Sequence, residues 1–153
     1  MSSPASDVVK RFLDAMAQGS FTDEYIDRDI EYISLNRSNP ELAEILPWAG
    51  THHGPVEFKE FFGEMMQAWD FLEFQVDTIF GEAEKVAVIG HFAYQSKVVK
   101  KITRSPFAIF IKVQDGKIRH FQFFEDTYDT AASFRRAGRW SIENAVGART
   151  VGA

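Results

Sequence analysis

The stretch "GKIRHFQFFEDTYDTAASFRRAG", Gly116 to Gly138, holds the residue types with the most chemistry to offer. His120, Gln122 and Phe124 alternate with Phe121 and Phe123 in strand fashion, and Asp126 stands where the strand pattern gives way to a helical one. On that period His120, Gln122, Phe124 and Asp126 share one face. Asp126 would then sit at the mouth of an apolar pocket, with His120 and Gln122 behind it, placed to orient a ligand. A carboxylate in aromatic surroundings loses hydration, its pKa rises, and it becomes a usable general acid or base near neutral pH. The competing role for Asp126 is structural, as the N-cap of the helix that follows. Glu125 and Asp129 read as solvated first-turn charges that favour the helix dipole.

Other side chains offer less. Adjacent His52 and His53 in an extended loop point to opposite sides, so they make a poor metal pair, and no HExxH-like spacing supports a metal site. A hydrogen bond from His53 at the pocket rim suits the loop better. His91 and Tyr94 lie three apart on one strand pattern, hence on opposite faces, and His91 joins the ligand-binding candidates. Tyr32 and Trp48 can each lend a polar handle to a pocket wall. Phe62 lies on the apolar stripe of a helix and is a ligand-contact candidate as well as a core residue. There is no Gly-x-Ser-x-Gly elbow and no glycine-rich phosphate loop.

Composition narrows the classes of partner. The chain has 153 residues, 45% of them hydrophobic and 25% charged, as in an ordinary globular domain. Phenylalanine is in excess, with 15 copies against 3 Trp and 4 Tyr, which points to an aromatic-lined cavity. A net charge of -5 and a pI near 5.4 argue against nucleic acid or an anionic membrane as partner. With 0 cysteines, disulfides, thiolate catalysis and cysteine–zinc sites are excluded. No secretory signal pattern opens the chain and no apolar run has membrane-spanning length, so the expectation is a cytoplasmic protein.

The elements that must position these residues follow from period and punctuation. Residues 1–5 read as a flexible tail, 6–138 as one domain and 139–153 as a C-terminal tail with some helical potential. Ser6 and Asp7 can cap a helix with apolar positions Val8, Val9, Phe12, Leu13 and Met16, ended by Gly19. A turn around Phe21–Tyr25 leads into a strand, "DIEYISLNR". The connection "SNPELAEILPWAGTHHGP" is long enough to be a lid or binding loop. A second helix starts near Pro55 and carries Phe58, Phe61, Phe62, Met65 and Trp69. The period then falls to two for "LEFQVDTIF", "KVAVIGHFAYQSK", "TRSPFAIFIKV" and "KIRHFQFFED", the last pair joined by an Asp115–Gly116 turn. A final helix starts around Thr127. The sum is an α+β domain: a bent antiparallel sheet wrapped around helices enclosing an apolar pocket.

Three stretches carry a resemblance. "VVKRFLDAMAQGSF", "PWAGTHHGPVEFKEFFGEM" and "GKIRHFQFFEDTYDTAASF" resemble, in order, the first helix, the loop-and-helix and the closing strand of the NTF2-like superfamily. That group includes SnoaL-like polyketide cyclases and ketosteroid isomerase. The resemblance implies a cone-shaped α+β (cystatin-like) fold, a small hydrophobic ligand and no cofactor. Asp126 matches the closing-strand aspartate that acts as acid or base in several relatives. Phe12 stands where ketosteroid isomerases carry an oxyanion-hole tyrosine. Function is then expected to be either cofactor-free isomerisation, cyclisation or dehydration, or plain binding of a small hydrophobic ligand. If Phe124 and Asp126 face the cavity, Phe121 and Phe123 face outward, where with neighbouring strands they would pair two subunits as a homodimer.

Overall fold

In the computed structural model, residues 3–20 and 23–152 are described. The turn expected at Phe21 therefore lies partly outside the described residues. Helix α1 spans Pro4–Ala17; its N-cap is Ser3, whose Oγ accepts the Ser6 amide at 3.1 Å, with Pro4 pre-set for the first turn. The helix thus starts before Ser6, and Pro4 and Ala5 belong to it rather than to a tail. Its buried stripe includes Val9 and Phe12, as the period requires.

Strand β1 (Ile26–Ser34) follows, and the long connection is less irregular than its composition suggests. It folds into a short helix α2 (Pro40–Ile45), capped by the Asn39 side chain, and a strand β2 (Gly50–His53). Helix α3 spans Gly54–Ala68. Four strands then meander: β3 (Trp69–Glu82), β4 (Lys85–Ser96), β5 (Ile102–Gln114) and β6 (Lys117–Glu125). The six strands form one sheet in the order β2-β1-β6-β5-β4-β3, antiparallel throughout except where β1 runs parallel to β6. The turn into β6 places Asp115 and Gly116 at φ 51° and 76°, the left-handed geometry that makes Asp-Gly a hairpin signal.

Helices α1 and α3 cover the concave face of the sheet. Between them lies the core, including Phe12, Tyr32, Phe58, Phe92, Phe107 and Phe121. Bulges bend the sheet: β3 shifts register between Phe71 and Glu73 and between Val76 and Thr78, and β6 carries an extra residue at Arg119, since Lys112 pairs with His120 but Val113 with Ile118. Gly90 in β4 lets Phe107 lie over the strand. A Cβ there would come within 2.0 Å of the Gln75 carbonyl oxygen and 2.5 Å of the Phe107 ring.

Helix α4 (Thr127–Ala132) closes the domain. Beyond it, β7 (Trp140–Asn144) and β8 (Gly147–Val151) form a separate exposed hairpin, where helical potential was expected. Among the described residues, no helix is long and apolar enough to cross a membrane.

Candidate active site

A cavity of about 480 Å³ opens between α1, α3 and the concave sheet face, within the usual size for a small-molecule site. Rings make most of its wall. Phe12 comes from α1, Phe61 and Phe62 from α3, Phe71 and Phe74 from β3, and Phe121 and Phe123 from β6. Trp48 closes one side, its ring 5.8 Å from Phe134 and 6.3 Å from Trp69.

The polar groups of the wall gather near Glu125, the last residue of β6. Glu125 pairs across the ladder with Phe107, whose side chain is buried on the concave face. Its carboxyl therefore enters the cavity beside Phe121 and Phe123. Burial lifts its pKa from an ordinary 4.5 to about 7; the Thr130 hydroxyl pulls it back, and the neighbouring Asp126 charge pushes it up.

Two phenols accompany the carboxyl. Tyr32 on β1 is buried, stacked on Phe121 with ring centres 5.2 Å apart and in contact with Phe61 at 4.4 Å. Burial raises its pKa, offset by a hydrogen bond with Ser34 and reinforced by the Glu125 charge. Tyr94 on β4 lies over Phe92 at 4.2 Å, and burial and Glu125 raise its pKa too. Both phenols are therefore neutral hydrogen-bond donors at physiological pH. Ser34 adds a third hydroxyl to the lining, and Leu35, held at φ 67°, turns the chain so that it lines the cavity as well.

This arrangement corrects the expected parity of β6. His120, Gln122 and Phe124 do share a face, but it is the convex one, and Phe121 and Phe123 face the cavity instead. Phe124 is 44% exposed, and Gln122 sits between Ile33 and Phe110 in the ladder. Phe121 and Phe123 are drawn inward because their ladder partners, Ile111 and Ile109, are buried on the concave side.

Asp126, one residue beyond the strand, does not line the cavity. It caps α4, its Oδ1 accepting the Asp129 amide at 3.1 Å. Asp129, expected as a solvated charge, accepts the Thr103 hydroxyl at 2.5 Å and the Arg104 amide at 3.1 Å, tying α4 to β5. Glu125, expected to be solvated as well, is the carboxyl that the cavity encloses.

The histidines lie elsewhere. His53 is the exposed N-cap residue of α3; its amide donates to Glu57 Oε2 at 2.6 Å and its ring is not part of the cavity wall. His52 braces the wall from behind: its Nε2 lies 2.8 Å from the Trp48 carbonyl oxygen and its ring 5.9 Å from that of Tyr32. His91 is on the convex face between Asp77 at 3.1 Å and Glu73 at 3.4 Å, and His120 is held by Glu31 at 3.1 Å. Of the residues expected to contact ligand, Tyr32, Trp48 and Phe62 do line the cavity. Tyr94, set aside as lying opposite His91, lines it as well. No cluster of three or more His, Cys, Asp or Glu among the described residues has the geometry of a metal site.

The chain is similar to known proteins over most of its length. The SnoaL-like domain family matches residues 9–121. Patulin synthesis protein F of Aspergillus clavatus is 38% identical over 133 residues, covering 84% of this chain and 67% of that protein. Patulin biosynthesis cluster protein F of Penicillium expansum is 40% identical over 114 residues, covering 72% of this chain but 57% of that protein. Among solved structures, an NTF2-like protein of Burkholderia thailandensis superposes with a TM-score of 0.75 at 22% identity, covering 88% of this chain and 99% of that one. That likeness shows the fold; the match over residues 9–121 and the fungal relatives show the family. The chain is a member of the SnoaL-like family, built on the NTF2-like fold.

Proposed function

We propose that this protein is a cofactor-free small-molecule enzyme in which Glu125 moves a proton on a substrate held in the aromatic cavity. The observation that carries this reading is the meeting of the buried Glu125 carboxyl with the two phenols of Tyr32 and Tyr94 inside a largely aromatic wall. A carboxyl titrating near 7 is matched to both halves of a proton transfer at neutral pH. As carboxylate it removes a proton from a carbon next to a carbonyl; the C–H electrons pass into an enolate, whose oxygen accepts hydrogen bonds from the phenols. As carboxylic acid it returns the proton at another carbon, or to a leaving hydroxyl. Isomerisation and dehydration reduce to these two moves without redox change; in cyclisation the enolate carbon attacks a second carbonyl carbon of the substrate, and the oxygen that receives the C=O electrons takes the returned proton. The two fungal relatives named for patulin synthesis support a biosynthetic role.

Hydrogen–deuterium exchange at the α-carbons of 2-tetralone in D2O, followed by proton NMR, tests this reading. Wild type is expected to accelerate the exchange, Glu125→Gln to abolish the acceleration, and Asp126→Asn to keep it. Loss in Asp126→Asn with retention in Glu125→Gln would hand the role back to Asp126. No acceleration by any variant, with the ketone bound, would leave a binding module without turnover.

A further inference from the structure

Taking the cavity to be the ligand site, as proposed above, we infer that it selects uncharged, flat ring compounds bearing carbonyl or ether oxygens and rejects their free-acid counterparts. The selection comes from what the wall offers. Lys, Arg and His are absent from the described residues that line it. Lys97, whose ammonium binds the carbonyl oxygen of the rim residue Met66 at 2.6 Å, is also engaged by Asp70 at 3.9 Å. Glu73 touches the rim, but its carboxylate turns to His91 at 3.4 Å on the convex face.

A ligand carboxylate in this cavity would therefore lose its water, gain no cation and stand in the same space as Glu125. Burying an unpaired charge is among the most costly things a site can be asked to do. The side-chain hydroxyls of Tyr32, Tyr94 and Ser34 are donors that a neutral carbonyl oxygen can satisfy. Around them the wall is built of ring faces and edges, with Tyr32 stacked on Phe121 at 27° between planes and Phe123 backed by the buried Phe107 at 23°. Such walls fit a planar ring system better than a branched aliphatic one. The rejection of acids is built into the wall as a missing counter-ion, a repulsive device rather than an attractive one.

The test uses methyl 2-naphthoate and 2-naphthoate, the same ring with and without a charge, titrated at pH 8 by ligand fluorescence. The ester is expected to bind at least about tenfold tighter than the acid, given the cost of an unpaired buried charge. In Met65→Arg, which sets a cation in the wall, acid binding should rise while ester binding does not. In Glu125→Gln the gap should narrow from the acid side without reversing. Equal or tighter binding of the acid by wild type overturns the inference, and so does failure of both probes to bind. These readings need no turnover. An ester preference without α-carbon exchange would keep this inference and reject proton transfer by Glu125; exchange without the preference would do the reverse.

Discussion

Glu125 and Asp126 share a peptide bond and send their carboxyls to opposite sides of the cavity wall. Glu125 enters the cavity, where burial lifts its pKa to about 7, while Asp126 Oδ1 turns out to accept the Asp129 amide at 3.1 Å across the first turn of α4. The peptide between them is clamped. Ser105 Oγ accepts the Asp126 amide at 2.8 Å, and Thr130 Oγ1 donates to the Asp126 carbonyl at 3.1 Å. One buried carboxyl is thereby held at the end of a strand by the cap of the helix that follows.

The two carboxyls should separate in stability measurements. Glu125 in the folded chain keeps its proton to about 7, whereas its ordinary value is 4.5. Between those values the folded state holds a proton that the unfolded state has released, so this group's contribution falls as pH rises through the window and levels off above 7. Glu125→Gln should remove that decline and gain on the order of 2 kcal/mol relative to wild type at pH 8, taking 1.36 kcal/mol per pKa unit and allowing for relaxation. Asp126→Ala should cost about 1 kcal/mol at every pH above the carboxylate range, as a lost cap does. Urea unfolding from pH 5 to 8 measures both. A pH-independent offset in Glu125→Gln would remove the raised pKa.

Burial decides where the Glu125 carboxyl titrates, and Thr130 tempers it. Its hydroxyl beside Glu125 draws the pKa down, against burial and the Asp126 charge, while Tyr32 and Tyr94 face the same group from β1 and β4. Thr130→Val keeps the volume and deletes the hydroxyl. Proton transfer by Glu125 should rise with pH along its titration, and in Thr130→Val the midpoint should move upward. Thr130→Ser should restore it. Carboxyl-carbon NMR of Glu125 reads the same shift without substrate, and an unmoved titration would make Thr130 merely structural.

Much of the frame was legible from residue patterns. The 3.6-residue stripe of α1, the period-two runs of β3 to β6 and the Asp115–Gly116 turn each state their own geometry, and three stretches taken in order were enough to name the superfamily. The face of β6 was not legible, because phenylalanines stand on both sides of it and alternation cannot say which side is buried. The cross-strand partners Ile109 and Ile111 decide that, and register is a property of two strands. A count of apolar partners on β5 would have favoured Phe121 and Phe123, and with them Glu125. The short α2 and β2 were hidden in a polar, proline-bearing loop because tertiary pairing with β1 makes the second of them.

Gly90 is where the packing behind the aromatic wall depends on a missing side chain. A Cβ would collide with the backbone oxygen of Gln75 at 2.0 Å, which cannot swing away as a side-chain tip can, and with the Phe107 ring at 2.5 Å. Phe107 in turn stacks on Phe74 at 4.6 Å and Phe123 at 5.2 Å, so displacement would spread along the aromatic wall. Gly90→Val should cost about 2–3 kcal/mol, the upper part of the overpacking range. Thermal unfolding checks this, and a loss below about 0.5 kcal/mol would show that β3 yields freely.

The convex face leads to the last prediction, a homodimer. The expected interface centred on Phe121 and Phe123, and both turn inward, so the same pairing has to be argued from other residues. In the ladder Ile89, Ala108 and Phe124 lie side by side on the convex face, with Phe80, Ala87 and Phe110 in the adjoining row. Phe80 is 58% exposed, Phe124 44% and Ile89 36%, so the rows form a contiguous apolar strip open to water. A strip of this kind is costly on a monomer, and a two-fold axis lets one copy cover the other. We therefore propose a dimer through this face, with Lys112 and the His91–Asp77 pair at its polar margin. Sedimentation equilibrium should give a mass near twice 17.4 kDa for wild type. It should fall to the monomer value in Ile89→Lys/Phe124→Glu with the fold intact by circular dichroism. Phe121→Glu, which buries a charge in the core, should instead unfold the chain. A wild-type mass near 17.4 kDa would reject the dimer, and a dimer that survives both convex-face substitutions would move its interface elsewhere.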